Sequence, residues 1–234
     1  MLAMRNILTL LLVSLFTLSC TVQQYYVIKM HTTKKKKIKL DPVYDSAVML
    51  MSNGRSASGS IVRIIDKRTS YVITVKHFCD GIKGSIDVAA APHRSSKIVM
   101  FKGEIHRVHK SLDMCLVRLE GDTSLVRPIK FRNKKPHVGM QLYTLGAPAG
   151  LWPSKNTGYL TGVSKSSASP PELKEPDIIA VSVPSFYGSS GSPIYDRRGK
   201  MVGMIIAVNI KFHHNSIGIP AYLISNFVSH ALQK

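Results

Sequence analysis

The chain has 234 residues, and 32 Lys and Arg against 13 Asp and Glu give it a formal charge of +19. A hydrophobic content of 44% excludes a disordered polyelectrolyte, and the length suits one large domain or two small lobes with a real core. The positive balance permits attraction to nucleic acid, anionic lipid or acidic polypeptide and does not choose among them.

The chain begins MLAMRNILTLLLVSLFTLSC: one Arg, an apolar run from Ile7 to Leu18, then small and polar residues ending at Cys20. That order predicts a signal peptide over residues 1–20, because the apolar run is short for a membrane span. The segment TLSC resembles a bacterial lipoprotein cleavage box, which would make Cys20 a lipidation candidate; Thr17 stands where that box usually has Leu. An uncleaved anchor is the competing reading. Residues 21–44 form a basic linker in which Lys34, Lys35, Lys36 and Lys37 are consecutive. Such a run is normally solvated, and beside an anchor it would also meet anionic headgroups. Export to the periplasm or outward, with or without a tether to the membrane, is the expected localisation.

From residue 45 onward the sequence reads as short strands. SAVMLM, SGSIVRII, SYVITVKHF, GSIDVAA, KIVMF and MCLVRL are β-branched and apolar, and turn residues separate them. A basic, irregular stretch over 122–136 links this half to MQLYTLG, TGYLTGVS, DIIAVSVP, SPIYD, KMVGMIIAVNI and SIGIPAYL. The tail ISNFVSHALQ has helical spacing, with Ile224, Phe227, Val228 and Leu232 on one face. The predicted fold is all-β: two six-stranded antiparallel barrels over about 45–125 and 136–222, with a C-terminal helix at 223–233. Besides Cys20 there are two cysteines, Cys79 and Cys115, and they read equally well as one bridge or as two buried thiols.

Three stretches carry chemistry. YVITVKHFC runs an apolar strand into His77, and LDMCLVRL places Asp113 directly before a core strand, where a carboxylate needs a partner. YGSSGSPIYD offers Ser190 between two glycines, as a nucleophile that a base and a carboxylate could activate. ITVKHFC, DMCLV and GSSGSP resemble, in order, the signature segments of trypsin-like (chymotrypsin-fold) serine peptidases. LGAPAGLWPSKNTGYLTGVS and GSPIYDRRGKMVGMI with SIGIPAYLI resemble the HtrA-like branch. The resemblance covers about residues 46–230.

The resemblance implies a serine endopeptidase acting on a polypeptide substrate, with Ser190 as nucleophile, His77 as general base and Asp113 as its orienting carboxylate. The amides of Gly188 and Ser190 would form the oxyanion hole. Ile205, Ile206, Ala207 and Val208 would run along the substrate backbone, and Pro184, Ser185, Gly218 and Ile219 would lie near the primary pocket. None of these is acidic, so a small or medium apolar side chain at the cleavage position is expected. His213 and His214 read as loop residues rather than pocket residues. Ser189 stands where trypsin has the Asp that receives a new N-terminus, so zymogen activation of that kind is not expected. No PDZ domain follows in the sequence.

No cofactor is expected. The His106 and His109 pair lies on a predicted strand and points to opposite faces, which does not suit a metal. Trp152 reads as a loop anchor. Two other classes compete with the enzyme: a catalytically silent binding module of the same fold, and a basic protein that binds nucleic acid or an anionic surface. The intact trio weighs against the first, and the dispersal of basic residues outside the lysine run weighs against the second.

Overall fold

A computed structural model describes residues 42–93, 95, 97–166, 177–208 and 215–233. The signal segment, Cys20, the lysine run, His213 and His214 lie outside the described residues. After a single 3-10 turn at Pro42–Asp45, six strands follow: β1 (Ala47–Ser52), β2 (Arg55–Ile64), β3 (Thr69–Thr74), β4 (Ile86–Ala90), β5 (Val99–Val108) and β6 (Cys115–Glu120). They close into an antiparallel barrel in the order β1-β2-β3-β6-β5-β4, with β4 pairing back onto β1. The β1–β2 turn is the two-residue Asn53-Gly54, both at positive φ, which matches the twist of a tight hairpin. The long strands β2 and β5 each carry a register shift, at Ile61/Arg63 and Ile105/Arg107, where the sheet must bend to close.

The second half holds β7 (Lys130–Phe131), β8 (Gln141–Gly146), β9 (Ser154–Ser164), β10 (Ile178–Val181), β11 (Pro193–Tyr195), β12 (Lys200–Val208) and β13 (Ser216–Pro220). Strands β11-β8-β9-β10-β13-β12 form a second ring, closed by the β11–β12 pairing. The link between the halves is less irregular than its composition suggests. It contributes β7, which pairs in parallel with β12. Arg132, at the end of that strand, donates to the buried Asp196 carboxylate at 2.7 Å, while Asp196 also accepts from the Arg198 and Lys200 amides. A buried carboxylate needs such a set of donors, and here they tie the link to the β11–β12 turn.

The final helix, Ala221–Leu232, buries Leu223, Ile224, Phe227, Val228 and Ala231. Leu232 is only partly buried, and the helix begins two residues earlier than its spacing suggests. Its buried face joins one continuous core with barrel-one residues such as Leu50, Val72, Leu116 and Phe101. His106 of β5 bonds the Ala231 carbonyl at 3.3 Å, and His109 meets Phe227 edge to face. Burial and the nearby Lys76 charge hold the His109 imidazole below its usual pKa. Both histidines of the pair therefore serve the helix contact, and among the described residues no cluster of three ligand-type side chains forms.

Trp152 packs against two buried clusters, so it does anchor its loop. Cys79 and Cys115 are joined by a disulfide across 36 residues, which resolves the choice left open by the sequence. Each half-cystine lies two positions after a candidate catalytic residue, His77 or Asp113. Closing a loop of that length restricts the unfolded chain by about 3–4 kcal/mol. Replacing both cysteines by alanine is expected to lower the unfolding free energy by about 2–4 kcal/mol, read from urea midpoints at constant slope.

Candidate active site

The sequence places His77 at a strand end, and the structure adds a helical turn. Strand β3 stops at Thr74, and the four-residue helix α1 (Lys76–Cys79) carries His77 on its exposed side while Phe78 and Cys79 are buried. Asp113 reaches α1 with both carboxylate oxygens. Oδ1 accepts the His77 backbone N–H at 2.9 Å, and Oδ2 pairs with His77 Nδ1 at 2.7 Å. The two contacts fix the imidazole's position and its tautomer together, because a carboxylate on Nδ1 requires the proton there and leaves Nε2 as the free base. The Asp113 hydrogen bond raises the His77 pKa above its usual value, against an opposing effect of partial burial.

Ser190 lies in the turn before β11, in the second barrel. Residues 186–190 satisfy every one of their carbonyls. Ser189 N–H donates to Phe186 O at 2.9 Å, Ala149 N–H to Tyr187 O at 2.7 Å, and Ser58 Oγ to Gly188 O at 2.7 Å. Ser192 N–H donates to Ser189 O at 2.9 Å, and Ser58 N–H to Ser190 O at 2.8 Å. The amides of Gly188 and Ser190 have no partner among the described residues. Because peptides are planar and trans, turning each carbonyl away turns the next N–H the other way. The result is two unspent donors flanking Ser189, on the same turn as the Ser190 hydroxyl.

Two glycines make that turn accessible. Gly188 has φ +90° and Gly191 has φ +89°, the region that side chains with a Cβ rarely adopt. A Cβ on Gly188 would run into Ala147 O, and one on Gly191 into Ser58 O and Thr74 Oγ1. Ser189, buried to 4% exposure, points inward and its Oγ accepts the Phe186 amide at 3.0 Å. A neutral hydroxyl thus closes the turn. Among the described residues Ser190 Oγ has no hydrogen-bond partner, His77 included. Such contacts commonly tighten only when substrate arrives.

The candidate substrate residues divide into three groups. Ile205 is buried at 1%, and both its peptide groups are taken: its N–H donates to Ser192 O at 3.0 Å and its carbonyl accepts from Gly191 at 2.7 Å. It supports the nucleophile turn and has nothing left for a substrate. Ile206, Ala207 and Val208 follow a register shift in β12. On the edge away from β13, β11 pairs no further than Met204, so these three residues offer an open strand edge among the described residues.

Gly218 faces the interior of the second barrel, and Ile219, on the opposite face of β13, is buried in the core cluster that the C-terminal helix joins. A Cβ on Gly218 would meet Ile194 and Met204, and Ile219 is 2% exposed. Ser216, two residues before Gly218 and so on the same face of β13, was not singled out by the strand pattern. Its buried Oγ bonds Ser185 Oγ at 2.8 Å and Val183 O at 3.0 Å, beside Pro184. Pro184 and Ser185, six and five residues upstream of Ser190, thus cluster with Ser216, and the group offers hydroxyls and no acid. Ser58 was also missed, because a small residue within a strand carries no sign of its partner 130 positions away.

The sequence profile of the trypsin-like peptidase domain matches residues 57–204. Over 172 residues the chain is 27% identical to "Probable periplasmic serine protease do/HhoA-like" of Haemophilus influenzae, a match that covers 73% of this chain and 35% of that protein. This chain therefore spans about a third of that relative's length. The serine endoprotease of Yersinia pestis superposes with a TM-score of 0.66 at 16% identity, covering 86% of this chain and 68% of that one. The Rv3671c protease of M. tuberculosis, in its active form, gives 0.65 at 17% identity over 82% and 83%. At those identities the two structures speak to the fold alone. With the profile spanning more than half of its length, and with an HtrA-like relative beside it, the chain belongs to the trypsin-like peptidase family.

Proposed function

We propose that the protein is an exported serine endopeptidase, working through Ser190, His77 and Asp113 and an acyl-enzyme intermediate. The observation that carries this reading is the turn at 186–190, which satisfies all its carbonyls and, among the described residues, leaves the Gly188 and Ser190 amides unspent. Those two donors flank Ser189 on the turn that carries the Ser190 hydroxyl, the placement an oxyanion site needs. The exported setting is supported by the signal-like N-terminus and by the periplasmic relative.

The geometry supports the following reaction. A substrate strand lies along the open edge at Ile206, Ala207 and Val208, bringing its scissile carbonyl to the turn. Ser190 Oγ attacks the carbonyl carbon as its proton passes to His77 Nε2, and the carbonyl electron pair moves onto oxygen, where the two amides receive it. Asp113 on Nδ1 stabilises the imidazolium that forms. Collapse of the tetrahedral species breaks the C–N bond, and the imidazolium proton leaves with the amine. Water, deprotonated by His77, then releases the acyl group by the same steps. Removing one oxyanion donor typically costs about 10²–10³ in kcat. The hydroxyl-lined, acid-free surroundings of Ser185 and Ser216 favour a small or medium apolar side chain at the cleavage position over Lys or Arg.

Ser190→Ala is expected to keep the fold, by circular dichroism and melting, while losing peptide hydrolysis and labelling by a fluorophosphonate probe. Persistence of either activity in a purified variant would sink the mechanism. The pH dependence carries a second test. His77 must be neutral to accept a proton, and its folded pKa is raised, so kcat/KM should climb with pH along a limb centred above about 6.5. Asp113→Asn is expected to move that limb to lower pH and to reduce kcat on the order of 10⁴-fold. An unmoved limb would show that Asp113 does not set the histidine. The same pair stabilises the fold fully below the unfolded histidine pKa, and this contribution fades as pH rises through the folded value.

A further inference from the structure

We propose that Ser58, in the first barrel, is a positioning residue for the active site, its hydroxyl holding the oxyanion turn of the second barrel open. The inference rests on the reading of 186–190 as that turn. Ser58 is completely buried, and it grips both sides of Ser189. Its Oγ lies 2.7 Å from Gly188 O, and its N–H donates to Ser190 O at 2.8 Å.

The direction of the hydroxyl bond is determined. Ala147 N–H donates to Ser58 Oγ at 2.9 Å, and an amide can only donate. The single hydroxyl proton is therefore left for Gly188 O, which can only accept. Gly188 sits at φ +90° without a Cβ, so its own conformational preferences do little to stop the adjoining peptides from turning over. Turning over the Tyr187–Gly188 peptide would put a carbonyl where the substrate oxyanion needs a donor, and the Gly188–Ser189 peptide fixes the other side of that glycine. Ala149 N–H holds the peptide before Gly188, through Tyr187 O, and Ser58 Oγ holds the one after it. Ser58 itself has no exposed surface.

Ser58 is also joined to the histidine side. Its carbonyl accepts Thr74 Oγ1 at 2.7 Å, three residues before His77. The path from Thr74 through Ser58 to Gly188 and Ser190 sets the strand that leads to the base against the turn that carries the nucleophile.

The test is steady-state kinetics on Ser58→Ala and Ser58→Cys, with active sites counted by fluorophosphonate titration so that misfolded protein is excluded. For Ser58→Ala, kcat per titrated site should fall about tenfold to a hundredfold, less than for loss of a donor itself, with KM within about twofold. The acid limb of the pH profile should stay where it is, because the His77–Asp113 pair is untouched. Ser58→Cys, with a weaker donor of similar shape, should lie between the alanine variant and wild type, and it carries the test if alanine fails to fold. A kcat within about twofold of wild type in the folded variant overturns the inference, as does a loss that comes with a displaced acid limb. A wild type that neither hydrolyses peptides nor takes the probe would overturn the proposed function itself, and this inference with it.

Discussion

Five successive carbonyls, from Phe186 to Ser190, must find donors without drawing on the amides of Gly188 and Ser190, and the rest of the architecture bends to that requirement. The turn supplies two of the donors from its own Ser189 and Ser192 amides. The others come from outside: Ala149 from the loop after β8, and Ser58 twice, through its amide and its hydroxyl. Neither barrel could meet the requirement alone. A buried carbonyl left without a donor costs about 1–3 kcal/mol, so the site and the packing of the two halves are one problem.

The fold solves it by binding the halves together at several other places. The C-terminal helix packs on β12, β13 and β7, and its apolar face joins a core cluster shared with residues of the first barrel. The link strand β7 joins β12, and Arg132 anchors it to the buried Asp196. Within the first barrel the Cys79–Cys115 bridge ties α1 to the start of β6, two residues beyond His77 and Asp113 respectively. The imidazole–carboxylate pair can stand half in solvent, with His77 53% exposed at its side chain, because the backbones on both sides are held from below.

The nucleophile turn is closed by a neutral side chain. Ser189 is buried where a carboxylate would demand a positive partner, and its hydroxyl closes the turn on the Phe186 amide. The arrangement calls for no new charge to assemble the turn. It also leaves the turn's outer face to Phe186 and Tyr187, which stack edge to face and stand exposed next to the two donors.

Much of this was legible in the chain. Alternation of β-branched residues and the turn signals between them predict two barrels, because each strand records locally which of its faces is buried. The trio His77, Asp113 and Ser190 could be picked out because a histidine at the end of an apolar run, a carboxylate before a core strand and a serine between glycines are each odd in their own neighbourhoods. Pairings across distance leave no such mark. Cys79 and Cys115 read equally well as thiols, Gly218 and Ile219 looked like pocket residues until β13 buried both, one on each face, and Ile205 proved to have spent both its peptide groups on the turn. Ser58 is the clearest case: a serine in a strand is unremarked by itself, and only the approach of the second barrel gives its hydroxyl an acceptor. Sequence alone determined the strands, the helix and the chemical types at the site, since these depend on neighbours in the chain. Tertiary structure decided which hydrogen-bonding groups were consumed and which stayed free, since that depends on residues brought together from far apart.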